Sequence, residues 1–135
     1  MARVPSTSET CLIEAALRAR ENAHAPFSRF RVGAALEDEQ GRIFSGCNIE
    51  NATYGLTVCA ERVALFKAIS EGAAAITRVV VVADTHILTP PCGACRQILW
   101  EFCPGATLIL ANLHGRRETI SLNDIFPRPF DSSFL

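Results

Sequence analysis

The sequence is poor in the residues that nucleic-acid-binding proteins depend on. Only one of its 13 basic residues is a lysine, Lys67, and no basic run is longer than Arg116–Arg117. A protein that binds a nucleic-acid duplex carries a concentrated basic stripe, whereas this chain has a net charge of −1. The composition therefore disfavours a nucleic-acid polymer and favours a small-molecule substrate.

Long apolar runs are also missing. No stretch approaches the ~20 apolar residues needed to cross a bilayer, and the first ten residues are polar, without the apolar core of a signal peptide. We therefore expect a cytoplasmic protein with no membrane partner. With 135 residues, 49% of them apolar, the chain is predicted to form a single domain over residues 1–135. Residues 1–8 are expected to be a flexible N-terminus.

What the sequence does contain is cysteine, at positions 11, 47, 59, 92, 95 and 103. In a reducing cytoplasm we do not expect a disulfide framework, and a Cys-x-x-Cys pair such as Cys92 and Cys95 is typical of metal or redox sites. Cys11 lies on the apolar side of the first predicted helix and is expected in the core.

Hydrophobic periodicity and turn residues predict an α/β fold. Helices are predicted from a Ser6–Glu9 capping box to about Asn22, from Cys59 to Gly72, over 93–102 and near Ser121. Strands are predicted at 30–36, 43–49, 78–83, 107–111 and 118–121. The element order predicts a three-layer α/β/α sandwich with a mixed five-stranded sheet, an antiparallel hairpin at one edge and parallel strands beyond it.

Two short motifs carry the chemistry, Cys59-Ala60-Glu61-Arg62 and Pro91-Cys92-Gly93-Ala94-Cys95. Both lie at predicted helix N-termini, whose partial positive charge favours thiolates. If the two helix starts meet at one sheet edge, the three sulfurs can hold a zinc ion and leave its fourth position open for water.

The residues beside these cysteines suit a catalytic site. Glu61 lies within one helical turn of Cys59 and can accept a proton from an activated water. Arg62, three residues after Cys59, can hydrogen-bond a thiolate and withdraw some of its charge. Two alternatives remain open at this point, a redox dithiol and a structural four-cysteine zinc site with Cys47 or Cys103 as the fourth ligand.

The combined pattern is more specific. Cys-Ala-Glu followed by Pro-Cys-x-x-Cys is a zinc deaminase signature. Together with residues 25–36, 46–54 and 91–97, it makes the chain from about residue 10 to 130 resemble cytidine deaminase. The resemblance is to the short, homotetrameric, three-cysteine class of that family, and it implies the fold of that family.

The resemblance implies a zinc-dependent enzyme that deaminates cytidine and 2′-deoxycytidine to uridine and 2′-deoxyuridine in pyrimidine salvage. It implies one zinc ion per subunit, a homotetramer and active sites at subunit interfaces. The implied roles are zinc binding by Cys59, Cys92 and Cys95, proton transfer by Glu61, ribose binding by Asn48 and Glu50, and base or nucleoside contacts by Phe27, Ala60, Tyr54 and Phe130. Tyr54 and Phe130 would act on a neighbouring subunit's nucleoside.

The chain departs from the family pattern at Thr53 and over 55–58, which affects expectations about substrate preference and assembly. A deaminase of a modified nucleoside or of blasticidin S is the nearest alternative, and Asn48 with Glu50 favours an ordinary ribose over it. A non-catalytic zinc scaffold is a second alternative. Editing of RNA or single-stranded DNA is a third, which the near-neutral charge disfavours.

Overall fold

The computed structural model describes residues 8–135. Its helices are α1 (Glu9–Arg20), α2 (Ala60–Ser70), α3 (Gly93–Phe102) and α4 (Leu122–Ile125). Its strands are β1 (Val32–Asp38), β2 (Ile43–Cys47), β3 (Ile76–Ala83), β4 (Thr107–Ala111) and β5 (Arg117–Ser121). Two short 3₁₀ turns occupy Tyr54–Leu56 and Ser132–Phe134.

The five strands form one mixed sheet in the order β2-β1-β3-β4-β5. β1 is antiparallel to both β2 and β3, and β3 is parallel to β4. β5 is antiparallel to β4, so the prediction of parallel strands beyond the hairpin is wrong at this edge. The reason is the short connection over residues 112–116, which suffices for a hairpin but not for the crossover that a parallel pair needs.

Helices cover the sheet on both faces. α1 packs its buried Leu12 and Ala16 against one face, where it meets Val80 and Val82 of β3. The alternate valines of β3, with Leu65 of α2 and Leu99 of α3, belong to the cluster on the opposite face. Because β3 is buried on both faces, its sequence is a nearly continuous apolar run. Helices on both faces of the sheet confirm the predicted three-layer fold.

The first helix differs from the prediction in two details. Its N-cap is Ser8, whose hydroxyl accepts a hydrogen bond from the Cys11 N–H at 3.1 Å. The predicted cap, Ser6, and most of the predicted flexible N-terminus lie outside the described residues. Cys11 is exposed, so its assignment to the core is wrong: the buried stripe of α1 runs through Leu12, Ile13 and Ala16 instead.

Two glycines let the helices lie close on the sheet. A Cβ atom at Gly33 of β1 would lie 2.0 Å from the carbonyl oxygen of Ala16 in α1. One at Gly46 of β2 would lie 2.6 Å from the backbone nitrogen of Ala64 in α2. The tight contact of α2 with β2 fixes the position of the helix whose first turn carries Glu61. Over residues 8–135, none of the helices has the length and apolar character needed to cross a membrane.

Candidate active site

Three cysteine sulfurs meet where α2 and α3 begin. Cys59 is the N-cap of α2, Cys92 is the N-cap of α3, and Cys95 lies in the first turn of α3. Their Sγ atoms all lie within 4.8 Å of one another, and those of Cys59 and Cys92 are 3.9 Å apart. Neither N-cap side chain caps its helix, so both sulfurs are available to a ligand. The predicted convergence of the two helix starts is therefore found.

The sulfur spacing fits a zinc ion. Zinc–sulfur bonds of about 2.3 Å at tetrahedral angles place two sulfurs about 3.8 Å apart, which agrees with the 3.9 Å between Cys59 and Cys92. The sulfurs are close enough to interact through hydrogen bonds. A hydrogen bond with Cys95, together with the Arg62 guanidinium, lowers the pKa of Cys59 to about 5. The same hydrogen bond and burial raise the pKa of Cys95. A cation between the sulfurs removes the repulsion that would otherwise oppose three thiolates.

The site has three protein sulfurs rather than four. Within residues 8–135 the group contains Cys59, Cys92 and Cys95 and no further cysteine, histidine or carboxylate. Cys103 is buried elsewhere, where burial raises the pKa of its thiol to about 12, and Cys47 is half-buried in β2. The arrangement leaves one tetrahedral position open, as a catalytic zinc site requires.

Glu61 is the buried carboxylate of this site. It lies in the first turn of α2 and is only 4% exposed. Burial raises its pKa to about 7, and the charge of Cys59 adds to that increase. A hydrogen bond with Cys95 and the charge of Arg62 act in the opposite direction. A carboxylate with a pKa near neutrality can both accept and donate a proton.

Arg62 places a positive charge behind the sulfurs. Its Nη2 donates to the Cys59 sulfur at 3.5 Å and to the carbonyl oxygen of Thr57 at 3.3 Å. The hydrogen bond to Cys59 raises the pKa of Arg62, so the guanidinium stays charged. The predicted contact between Arg62 and a sulfur is present.

A cavity of about 150 Å³ adjoins the sulfurs. Cys59, Cys92, Ala60 and Glu61 form one part of its wall. Phe30, Val32 and Val81 contribute apolar surface, and Thr89 and Pro90 come from the loop that leads into α3. Sequence reasoning missed Phe30 and Thr89. The position of Thr89, three residues before Cys92, was the available signal for that residue.

A wider groove of about 380 Å³ is lined by Phe27, Ser28, Glu50, Tyr54 and Thr57. Thr57 also lines the 150 Å³ cavity, so the two spaces adjoin. The rings of Phe27 and Tyr54 meet edge to face, with centroids 6.1 Å apart. Phe27, predicted for the pyrimidine pocket, therefore lines this outer groove.

Asn48 and Glu50 hold residues 27–32, a segment that contributes to the walls of both the cavity and the groove. The Asn48 Oδ1 accepts a hydrogen bond from the Val32 N–H at 2.9 Å, and its Nδ2 donates to the Phe30 carbonyl at 2.7 Å. Glu50 accepts from the N–H groups of Phe27 and Ser28 at 2.9 and 3.2 Å, and from the Ser28 hydroxyl. That hydroxyl, ahead of the backbone donors, lowers the pKa of Glu50.

Phe130 lies apart from this chain's own cavity. Its carbonyl oxygen accepts a hydrogen bond from Gln97 of α3 at 2.7 Å, and its ring stacks on Phe134 with centroids 5.5 Å apart. The side chain is 60% exposed and lines neither the 150 Å³ cavity nor the 380 Å³ groove. The structure therefore does not bring Phe130 to the other predicted site residues of the same chain.

A site for a sulfur-ligated cation with one open position, beside a buried carboxylate and a mainly apolar cavity, defines a zinc-dependent hydrolase built on a three-layer α/β fold. Comparison with known families agrees. Residues 6–111 match the family model described as the cytidine and deoxycytidylate deaminase zinc-binding region. The chain belongs to this family.

Individual relatives match over nearly their full length. The chain is 52% identical over 120 residues to the cytidine deaminase of Halalkalibacterium halodurans, covering 88% of this chain and 91% of that protein. It is 47% identical over 125 residues to the cytidine deaminase of Sporosarcina psychrophila, covering 92% of each. The crystal structure of cytidine deaminase from Burkholderia pseudomallei superposes with a TM-score of 0.88 at 46% identity, covering 92% of this chain and 100% of that one.

These matches confirm the predicted fold, the expectation of an enzyme and the expectation of a zinc cofactor. The family description names a zinc-binding region, and the three-sulfur geometry provides the ligands for it. The non-catalytic scaffold and redox alternatives lose their support.

Proposed function

We propose that this protein hydrolyses cytidine and 2′-deoxycytidine to uridine and 2′-deoxyuridine, with release of ammonia, as a step of pyrimidine salvage. The observation that carries the proposal is the placement of Glu61 and two of the three cysteine ligands on the wall of one small cavity. The relatives named cytidine deaminase support the choice of substrate.

Cys59, Cys92 and Cys95 would hold one zinc ion per subunit. A bound zinc ion supplies Lewis acidity, which lowers the pKa of a water in its open position towards neutrality. Arg62 stabilises the charge on Cys59 through the hydrogen bond at 3.5 Å. It thereby limits the electron density that three thiolates would otherwise give the cation.

Glu61 carries the proton through the reaction. It takes a proton from water as the oxygen attacks carbon 4 of the base, and it delivers that proton to ring nitrogen 3. It then takes the remaining hydroxyl proton and delivers it to the amino group, which leaves as ammonia. One water is consumed, and a carbonyl replaces the amine. The same carboxylate acts as base and then as acid, which suits a pKa near 7.

The two adjoining spaces suit the two halves of a nucleoside. A protein cavity of about 150 Å³ accommodates a ring the size of benzene, so the inner cavity of that volume matches a pyrimidine. Ala60, the first residue of α2, has a backbone N–H at the helix start that is free to read the base. Phe27 and Tyr54 line the outer groove, where the sugar would lie.

Asn48 and Glu50 keep hydrogen-bonding capacity for the ribose. An amide offers two donor hydrogens and two acceptor lone pairs, and Asn48 uses one of each on the backbone of Phe30 and Val32. A carboxylate offers about four acceptor sites, and Glu50 uses three of them on the turn at Phe27 and Ser28. The remaining donor and acceptor sites match the hydroxyl groups of a sugar.

We also propose a homotetramer with active sites at the subunit interfaces. Phe66, Tyr54 and Phe130 are 48%, 75% and 60% exposed, and large exposed apolar side chains are typical of association surfaces. Phe130 would stack on the base in a neighbouring subunit, and Tyr54 would touch a neighbouring nucleoside. A reducing cytoplasm, which keeps three thiols free for metal, is the proposed location.

A spectrophotometric assay tests the function. Zinc-analysed protein should convert cytidine and deoxycytidine, and blasticidin S should be a poor substrate. Turnover of blasticidin S above that of both nucleosides would contradict the substrate assignment. Light scattering tests the assembly, because a monomeric mass at micromolar concentration would overturn the tetramer. Mixing inactive Glu61→Gln subunits with Phe130→Ala subunits should restore activity if Phe130 acts across the interface.

A further inference from the structure

A second cavity, of about 520 Å³, lies on the segment that joins α1 to β1. Six residues line it: Ala23, His24, Ala25, Pro26, Arg29 and Arg31. It shares no lining residue with the nucleoside cavity or with the adjoining groove. Its volume falls in the range of small-molecule sites in proteins, and no acidic side chain lines it.

The charge around this cavity is positive and unpaired. Among the residues that the structure describes, the guanidinium groups of Arg29 and Arg31 have no ion-pair or hydrogen-bond partner. The guanidinium of Arg20 lies against the backbone of Arg31, because its Nε donates to the Arg31 carbonyl at 3.1 Å. Glu50 is close enough to interact with His24, but its carboxylate is hydrogen-bonded to the turn that follows. Two positive charges on one cavity wall that holds no acidic side chain favour an anionic ligand.

The backbone holds Arg29 in an uncommon conformation. Its φ is 59°, a left-handed value that glycine and asparagine adopt more readily than arginine. The Arg29 N–H donates to the Ala25 carbonyl at 2.9 Å and closes the turn. The turn therefore fixes the backbone of one cationic side chain before any ligand arrives, which reduces the entropy lost on binding.

We propose that this cavity binds a small phosphorylated molecule that carries two or more adjacent negative charges. Guanidinium groups bind phosphate oxygens through two parallel hydrogen bonds, and two unpaired guanidiniums suit a polyphosphate better than a single phosphate. A nucleic-acid polymer fits less well, because the net charge is −1 and the basic residues form no extended run.

One residue of the cavity wall, His24, is hydrogen-bonded through its backbone to Asn48 and Glu50, the two residues proposed to bind ribose. The His24 N–H donates to the Asn48 carbonyl at 3.0 Å, and the Glu50 N–H donates to the His24 carbonyl at 2.8 Å. The backbone of His24 is thus hydrogen-bonded to both of the residues proposed to bind ribose. An occupant of the cavity is expected to change the KM for cytidine more than kcat, by linkage between the two sites. This second expectation rests on the proposed function, whereas the binding itself does not.

Isothermal titration calorimetry on the zinc-loaded full chain, without nucleoside and at low ionic strength, tests the site. Inorganic tripolyphosphate should bind more tightly than inorganic phosphate. The double variant Arg29→Gln/Arg31→Gln should weaken tripolyphosphate binding by about tenfold or more, since it removes two charge-assisted contacts. Arg29→Lys/Arg31→Lys should give an intermediate affinity, because lysine keeps the charge but not the bidentate geometry.

A matched control removes the same charge outside the cavity, at Arg117 on the edge strand β5 and at Arg128 in the C-terminal tail. Arg117→Gln/Arg128→Gln should bind tripolyphosphate as the wild type does. Absence of binding to the wild type, or an equal loss in the two double-glutamine variants, would overturn the proposal. If Arg29→Gln/Arg31→Gln does not fold, amide NMR spectra of the wild type locate the tripolyphosphate site instead. Shifts confined to residues 23–31 on adding tripolyphosphate support the site, and shifts scattered over the surface refute it.

Discussion

Replacing Glu61 with glutamine tests the proposed chemistry most directly. The carboxylate is 4% exposed and lies in the first turn of α2, and an amide fills almost the same volume. The substitution removes the acid–base function and leaves the three sulfurs in place. We expect the free energy of unfolding to change by about 1 kcal/mol or less, because one buried polar group replaces another. Zinc content should stay at one per subunit.

The expected loss of turnover follows from the two proton transfers assigned to Glu61. A positioned general acid–base group contributes about 10²–10⁴-fold to a rate. In the proposed reaction Glu61 serves both the attack of water and the departure of ammonia, and no other carboxylate among the described residues lines the cavity, so we expect the upper end. A loss of about 10⁴-fold in kcat corresponds to about 5 kcal/mol of activation free energy. KM should change much less, since the cavity keeps its shape.

Cytidine-to-uridine conversion is followed by absorbance on protein whose zinc has been measured by atomic absorption. Glu61→Asp is the matched control, because it keeps the acid but sets it back by one methylene group, and it should retain part of the activity. Deamination by Glu61→Gln within about tenfold of the wild-type rate would refute the assignment of the proton transfers to Glu61. Loss of zinc from that variant would show instead that the carboxylate supports the metal site.

Three further substitutions test the frame around the site. Asn48→Ala should cost about 2–4 kcal/mol of unfolding free energy as well as nucleoside affinity, because two hydrogen bonds to residues 27–32 are lost; an unchanged denaturation midpoint would contradict this. Asp38 is buried, which acts to raise its pKa, but hydrogen bonds from Arg42 and from backbone N–H groups hold that pKa below 3.8. The Asp38 carboxylate therefore contributes its full stabilisation above about pH 4, and this stabilisation is lost as the pH falls through the pKa of Asp38 in the folded protein. Asp38→Asn should therefore make the free energy of unfolding fall less steeply at acid pH than it does in the wild type. Gly33→Ala should destabilise the fold by about 1–3 kcal/mol or more, since its Cβ would lie 2.0 Å from the Ala16 carbonyl; an unchanged melting temperature would show that α1 moves freely on β1.

Sequence patterns predicted the parts of the fold that are encoded locally. The bounds of α3 match the prediction because Pro91 and Pro104 stand on either side of it. The run Val79–Val82 of β3 has no polar member, which is typical of a strand covered on both faces. The meeting of three sulfurs followed from their places at two helix starts, which the motif spacing reveals.

Other features depend on pairings that sequence spacing does not record. The antiparallel direction of β5 follows from the short loop at 112–116 and the strand partner it selects. The hydrogen bonds from the Asn48 side chain to the backbone of Val32 and Phe30 join residues that are 16 and 18 positions apart, so nothing local predicts them. The wall position of Phe30 depends on the loop before β1, which the Asn48 side chain holds through the Phe30 carbonyl.

Two helix starts in this fold are completed differently from the others. Ser8 and Ser121 cap α1 and α4 with their hydroxyls, whereas Cys59 and Cys92 stand at the N-caps of α2 and α3 and accept no backbone N–H. The cation that joins these sulfurs also ties together the ends of two helices that cover the same face of the sheet. Metal uptake and the final docking of α2 against α3 are therefore expected to be coupled, since binding free energy at such a site is also folding free energy. The cellular supply of zinc would then determine how much of the newly made chain reaches its mature form, in addition to how much of it is active.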